Sequence, residues 1–415
     1  MPGRGVVKEW RGRVRARTLL ALVGFVFVLV SGTSAGNAAG AQAKQERPDP
    51  PKINTGAWAL EDTETGLYLA GKNPDKRLPI ASTTKIMVAL IAFDRGVNLD
   101  EEVTVSTQAE RFVGSVYSNV GLISGERLSL RELLEAALIP SGTDAVYALA
   151  EHLGGGGGKA GVENFVVEMN QEAKRMGLEN THFEDPAGLD SPEHYSSASD
   201  MAQIARAAMG YPEFRDIVDT QEATISTPDR EIDLLTTNNL LYVYQPATGI
   251  KTGTSPEAGP SLIASAKEGD ESYVAVLLDA NGDQYRFSAA QNLLDYGFAD
   301  YEREALISEG KEYEEVGLPY RREESVGLVA AKDVPGLVGS GLEVERRTTT
   351  DEPPPEARAG EELGTIEVLV DGKSVGSAPL VTEKGYEEAS LWQKIRYWTS
   401  GAVQSVSGLV SGLFS

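Results

Sequence analysis

Ala81-Ser82-Thr83-Thr84-Lys85-Ile86-Met87 sets a serine and a lysine three residues apart at the mouth of an apolar-periodic segment. On a helix, positions i and i+3 share a face, so the lysine ammonium comes within hydrogen-bond reach of the serine hydroxyl. Serine is a weak nucleophile at its free pKa and needs an adjacent base. Lysine can be that base only where its pKa is lowered, by desolvation, a helix N-terminus or a second cation. Two further elements follow along the chain. Ser141-Gly142-Thr143, after Pro140, reads as a loop between two helices whose hydroxyl could relay a proton. Lys251-Thr252-Gly253-Thr254 stands just ahead of an apolar strand. A strand edge with a lysine, a hydroxyl and an unhindered glycine can grip a peptide backbone and its terminal carboxylate. Each element is weak alone.

In this order and at these intervals, the three elements resemble the S-x-x-K, S-x-N and K-T-G signature of penicillin-binding proteins and serine β-lactamases. Their flanks narrow the resemblance: ASTTKIM, LIPSGTDA, FVVEMNQEAKRMGLENTHFEDPAGLD and TNNLL…GIKTGTSPEAGPSLIASA are similar to the D-alanyl-D-alanine carboxypeptidases of the penicillin-binding-protein-5 type. This implies an α+β fold of the penicillin-binding/β-lactamase-like transpeptidase kind, an antiparallel sheet packed with helices, and a small all-β C-terminal domain. It also implies a serine-type hydrolase that removes the terminal D-alanine from peptidoglycan stem pentapeptides, with β-lactam antibiotics as covalent inhibitors.

Carried over by residue, the resemblance makes Ser82 the acylated nucleophile, Lys85 its general base and Ser141 an aid to proton transfer. Thr143, Lys251, Thr252, Gly253 and Thr254 would hold the substrate, and Arg286 would bind its carboxylate. Backbone N–H groups of Ser82 and Thr254 would form the oxyanion hole. Thr143 departs from the family's Asn, exchanging a donor and an acceptor for one hydroxyl and a methyl. That predicts reduced substrate affinity or turnover and not inactivity, since Ser82 and Lys85 remain.

Outside the motifs, a hairpin is expected over Ala57–Leu60 and Leu67–Leu69, and a capping box at Ser129–Glu132 starts a helix that ends before Pro140. Helical patterns cover Val162–Met176, Ala198–Met209 and Phe287–Tyr296, the last ending at Gly297, and a second hairpin turns on Gly269-Asp270. The catalytic domain is placed at 55–301. From residue 302 to 388 the chain is Glu-rich with short β-like stretches, a small β-rich domain.

The two ends read separately. A basic start, the apolar run LLALVGFVFVLV and a small-residue stretch with Ala41-Gln42-Ala43 make residues 1–43 a secretory signal peptide, followed by a Pro-rich linker at 44–54. Cleavage removes six positive charges and one negative, taking the formal net charge from −24 to −29. Such a polyanion is a poor nucleic-acid binder. Cysteine is absent, so an exported chain relies here on its core and not on disulfides. At 389–415, Leu391, Ile395, Trp398, Ala402, Val406, Leu409 and Leu413 share one helical face, with Trp392, Tyr397, Lys394 and Arg396 at its start. This reads as an amphipathic helix lying on a membrane surface, at the extracytoplasmic face of the cell; the alternative is a helix docked on the protein's own second domain.

His152, His182 and His194 stand far apart without a zinc pattern, and His152 and His182 read as packing residues. No metal or cofactor is called for. The run Gly154–Gly158 before Lys159 lacks the phosphate-loop pattern and reads as a helix terminator. The alternative functions are a serine β-lactamase and a catalytically silent wall-binding protein.

Overall fold

A computed structural model describes residues 49–399; the signal-peptide reading and the tail beyond residue 399 lie outside the described residues. The first domain runs β1 (Thr55–Asp62), β2 (Tyr68–Lys72), α1 (Lys85–Asp94), β3 (Glu102–Thr104), α2 (Thr107–Glu110), β4 (Arg127–Ser129) and α3 (Leu130–Leu138). It continues with α4 (Thr143–Leu153), α5 (Gly158–Arg175), α6 (Ala198–Met209), α7 (Pro212–Val218), β5 (Glu222–Ser226), β6 (Glu231–Leu235) and α8 (Leu240–Val243). Strands β7 (Ala247–Ser255), β8 (Gly259–Glu268) and β9 (Glu271–Ala280) and helix α9 (Tyr285–Asp300) complete it.

β1, β2, β7, β8 and β9 form an antiparallel sheet in the order β2-β1-β9-β8-β7. Alternate side chains of a strand point to opposite faces, and here both faces are buried. Ala57, Ala59, Val274, Val276 and Leu278 pack against a core shared with α1, α3, α4 and α6. Trp58, Leu60, Tyr273, Ala275 and Leu277 face the other way, onto Phe287, Leu293 and Leu294 of α9. Ser129 caps α3 through the expected capping box, its hydroxyl accepting from Glu132 N while the Glu132 carboxylate accepts from Ser129 N.

The C-terminal strands are β10 (Tyr301–Ile307), β11 (Glu312–Gly317), β12 (Ser325–Ala330), β13 (Val334–Gly339), β14 (Val344–Thr350), β15 (Glu362–Val370) and β16 (Lys373–Thr382). β11-β12-β16-β15-β14 make one sheet and β10-β13 a second pair. Their inner side chains, among them Leu328, Ile366, Val368 and Leu380, continue the apolar layer under α9.

Three local expectations need correction. Helix α9 does not stop at Gly297 but runs through it to Asp300; the glycine there serves packing and not termination, since a Cβ would stand 2.9 Å from Cδ2 of the Tyr273 ring. Lys251–Thr254 does not precede a strand: it lies inside β7, the edge strand, and the apolar strand beside it is its partner β8. Thr143 is not in a loop but opens α4, leaving Ser141 and Gly142 as the turn.

Candidate active site

A single 3-10 turn, Ala81–Thr84, delivers the chain into α1. Ala81 takes φ +46°, a left-handed conformation unfavourable for a residue with a Cβ. Side chains secure the turn: Thr83 Oγ1 donates to Ile80 O (2.7 Å) and Thr84 Oγ1 to Ala81 O (2.8 Å). Lys85 Nζ donates to Ser82 Oγ at 2.8 Å and to Ala187 O at 3.3 Å. Ser82 is half-buried, whereas Lys85 is only 1% exposed. Burial brings the Lys85 pKa down from 10.5 to about 7, although the Asp185 and Asp144 charges pull it upward. At neutral pH the amine is therefore available without its extra proton, as a base requires.

The second motif sits on the turn before α4. Ser141 has φ +70°, and its buried hydroxyl has no hydrogen-bond partner. Gly142 N donates to Ala136 O and Thr143 N to Ser118 O, both at 2.8 Å. Asp144, wholly buried, accepts from Val120 N (3.1 Å), Leu122 N (2.9 Å) and Ala145 N (3.0 Å), pinning the 118–122 segment beside this turn.

The third motif faces the first. A Cβ on Gly253 would lie 2.8 Å from Ile80 O and 3.2 Å from Thr83 N, so only glycine lets β7 come this close to the turn bearing Ser82. Lys251 is 1% exposed, and its pKa falls well below the ordinary lysine value through burial and then through the positive charges of Lys85 and Arg286. Arg286 Nη1 donates to Gly253 O (3.0 Å), Thr254 Oγ1 (2.8 Å) and Ser261 O (3.2 Å), bracing β7. Thr237, which the sequence left as a flank, bridges the motifs. Its N–H donates to Ile139 O (3.2 Å), two residues before Ser141, and its Oγ1 shares a 2.6 Å hydrogen bond with Thr252 Oγ1.

Sequence reasoning also passed over Asp185 and His194. Asp185 Oδ1 accepts from Ala187 N (2.7 Å) and Gly188 N (2.8 Å), shaping the loop whose carbonyl meets Lys85. His194, 2% exposed, is the core histidine. His152 and His182 are only half-buried, the first beside Glu101 Oε1 (3.2 Å), the second held by Glu193 O (2.6 Å).

A hydrogen-bonded Ser–Lys pair on a buried helix start, faced by an edge strand that carries a second buried lysine, defines a serine hydrolase of the acyl-enzyme type. The chain belongs to the D-alanyl-D-alanine carboxypeptidase family, whose sequence profile matches residues 43–282. The profile of the penicillin-binding protein 5 C-terminal domain matches residues 301–388. D-alanyl-D-alanine carboxypeptidase DacD of Escherichia coli (strain K12) is 31% identical over 401 residues, 92% of this chain and 98% of that protein. DacF of Bacillus subtilis (strain 168) is 31% identical over 342 residues, 80% of this chain and 85% of its own length. Among solved structures, penicillin binding protein 5 from Haemophilus influenzae superposes with a TM-score of 0.66 at 31% identity, covering 82% of this chain and all of that one. The Streptomyces K15 DD-transpeptidase gives 0.58 at 34% identity, over 61% of this chain and all of its own. The α+β fold with its all-β C-terminal domain is thus the fold of this family, and these relatives favour the peptidase reading over a β-lactamase or a silent wall protein.

Proposed function

We propose that this chain cleaves the terminal D-alanine from peptidoglycan stem pentapeptides through an acyl-enzyme on Ser82, and that β-lactams acylate the same oxygen. The observation that carries the reading is the 2.8 Å contact between Ser82 Oγ and a buried Lys85 Nζ whose pKa is near 7. Lys85 takes the Ser82 proton as Oγ adds to the carbonyl carbon of the penultimate D-alanine. The N–H groups of Ser82 and Thr254 receive the oxyanion. The C–N bond then breaks, and free D-alanine leaves with a proton passed on through Ser141, whose unpartnered hydroxyl suits a relay. Water next attacks the ester, restoring Ser82. Lys251, Thr252 and Gly253 on β7 hold the peptide beside the nucleophile, with Thr143 facing its amide. Arg286 supplies the positive charge that a terminal carboxylate requires, and Lys251 offers it a buried hydrogen-bond donor.

The same reading places the chain outside the cytoplasm, delivered by residues 1–43 and held at the membrane surface by its tail. No helix among the described residues is long and apolar enough to cross a membrane. Residues 391–399 are helical, and Leu391 (74%), Trp392 (80%) and Trp398 (68%) are exposed, an arrangement suited to lying on a lipid surface.

The decisive experiment incubates the protein with a labelled penicillin and, separately, with a stem pentapeptide. A stable adduct on Ser82 together with release of free D-alanine is the expected result. Absence of both would refute the enzymatic reading, and rapid turnover of the penicillin without D-alanine release would favour a β-lactamase.

A further inference from the structure

The turn that carries Ser82 is unfavourable by itself, since Ala81 sits at φ +46°. The restraint on Ala81 itself is the bond its carbonyl accepts from Thr84 Oγ1, and Thr84 is in turn bonded to His194 Nε2 at 2.8 Å. The partners assign every proton. Ala81 O can only accept, so the Thr84 hydroxyl hydrogen goes there and His194 Nε2 must donate to Thr84 Oγ1. Glu184 N–H donates to His194 Nδ1 at 3.1 Å, so Nδ1 must accept. His194 Nε2 therefore carries a hydrogen, and both ring nitrogens have partners. The same segment closes over the turn at a second point: Gly188, at φ +86°, lies so near that a Cβ would be 1.8 Å from Ala81 O and 2.7 Å from Thr84 Oγ1. Asp185 Oδ2, 3.4 Å from His194 Nδ1, also accepts from Leu189 N (3.0 Å).

We propose that His194 is a positioning residue for acylation: through Thr84 it holds the Ala81 turn in the one conformation that keeps Ser82 Oγ against Lys85 Nζ. This deepens the reading of Ser82 as nucleophile and rests on it. The histidine touches no reacting atom. It removes the alternative in which the Thr84 hydroxyl turns away, Ala81 relaxes to negative φ and Ser82 leaves the lysine.

The test measures the rate constant for Ser82 acylation by a fluorescent penicillin, alongside thermal midpoints. Removing the His194–Thr84 bond, by His194→Leu (which also frees Glu184 N–H) or Thr84→Val (which also frees Ala81 O), is expected to slow acylation about tenfold to a hundredfold. His194→Gln, whose amide can donate in the place of Nε2–H, and Thr84→Ser should restore it to within about threefold. Because both residues act through one bond, Thr84→Val with His194→Leu should be no slower than the slower single variant. Turnover of pentapeptide should fall in kcat and leave KM near its original value. Normal acylation by His194→Leu or Thr84→Val, rates that track the thermal midpoint across all variants including the conservative ones, or multiplying losses in the double variant would each overturn the proposal. If His194→Leu fails to fold, the isosteric Thr84→Val and Thr84→Ser pair decides. Failure of the unaltered protein to acylate would instead strike at the reading of Ser82.

Discussion

At the residue scale, the lowered pKa of Lys85 makes a prediction with a definite sign. The base works only when neutral, so the acylation rate should rise with pH along a limb centred near pH 7 and level off above it. An ordinary lysine at 10.5 would be neutral in roughly one molecule in three thousand at pH 7, and its limb would lie above pH 9. Acylation rates across pH 5–9 separate the two, and Lys85→Ala should abolish acylation while leaving the folded circular-dichroism spectrum. Thr143 gives a second prediction. Restoring the family's Asn should raise kcat/KM for D-alanine release by roughly three- to tenfold, the worth of an added hydrogen bond to the substrate amide; an unchanged or lower value would show that Thr143 does not face the substrate. Ser82, Lys85, Ser141 and Lys251 were legible because each motif lies within four residues of sequence. His194, Thr237 and Asp185 were not: His194 matters through Thr84, 110 positions away, and Thr237 through Thr252, 15 away, while Asp185 shapes a loop folded back so that Ala187 O meets Lys85, 102 positions away. The buried ring of His194 carries no sequence pattern of its own.

At the element scale, β7 was misplaced for a physical reason. Lys251-Thr252-Gly253-Thr254 lacks the apolar alternation of a buried strand, since it is an edge strand with one side given to the site, so pattern alone put the strand after it. Helices α3 and α6, with serine caps and clear apolar faces, were legible nearly to the residue. The closeness of β7 to the nucleophile turn rests on Gly253. Gly253→Ala sets a methyl against Ile80 O and Thr83 N, backbone atoms that cannot swing aside. The expected outcome is acylation slowed at least about tenfold with a stability loss of about 1–3 kcal/mol by chemical denaturation; normal acylation would mean the two elements can separate without consequence. The tail helix bears on the membrane reading in the same way. Its polar side docks on the second domain, with Arg322 stacked on Tyr397 at 4.8 Å and Lys394 over Tyr320 at 5.6 Å, while Leu391, Trp392 and Trp398 stay outward. Under the proposed membrane reading, docking and lipid contact would use different faces. A chain ending at Glu388 should lose cosedimentation with phospholipid vesicles that the full chain retains; equal partition of both would assign the tail to protein contact alone.

At the scale of the whole molecule, the two domains meet over charges that no local pattern announced. Asp62, wholly buried, is paired with Arg303, and Lys373 of β16 donates to Gly66 O in the β1–β2 turn. A cavity of about 1210 Å³ opens beside this junction, lined by Arg206, Lys267 and Arg303 among others, and none of the proposed site residues borders it. Glu61 stands at the same junction, 5% exposed; burial raises its pKa from 4.5 to about 7, against the opposing pull of Lys373 and Arg206. Between those two values the folded chain keeps a proton that the unfolded chain has lost, so this group's contribution to stability declines as pH rises from about 4.5 and stays low above about 7. Glu61→Gln removes that dependence. Relative to the unaltered protein it should be neutral near pH 5, where Glu61 is already protonated in the folded state. Near pH 8 it should be more stable, by on the order of 1–3 kcal/mol. Calorimetric midpoints at pH 5, 6.5 and 8 measure the difference directly: a gap that widens with pH is the expected result. A constant gap would show Glu61 to be ionised at the junction throughout, and a gap that reverses sign would show that Lys373 and Arg206 outweigh the cost of burying its charge.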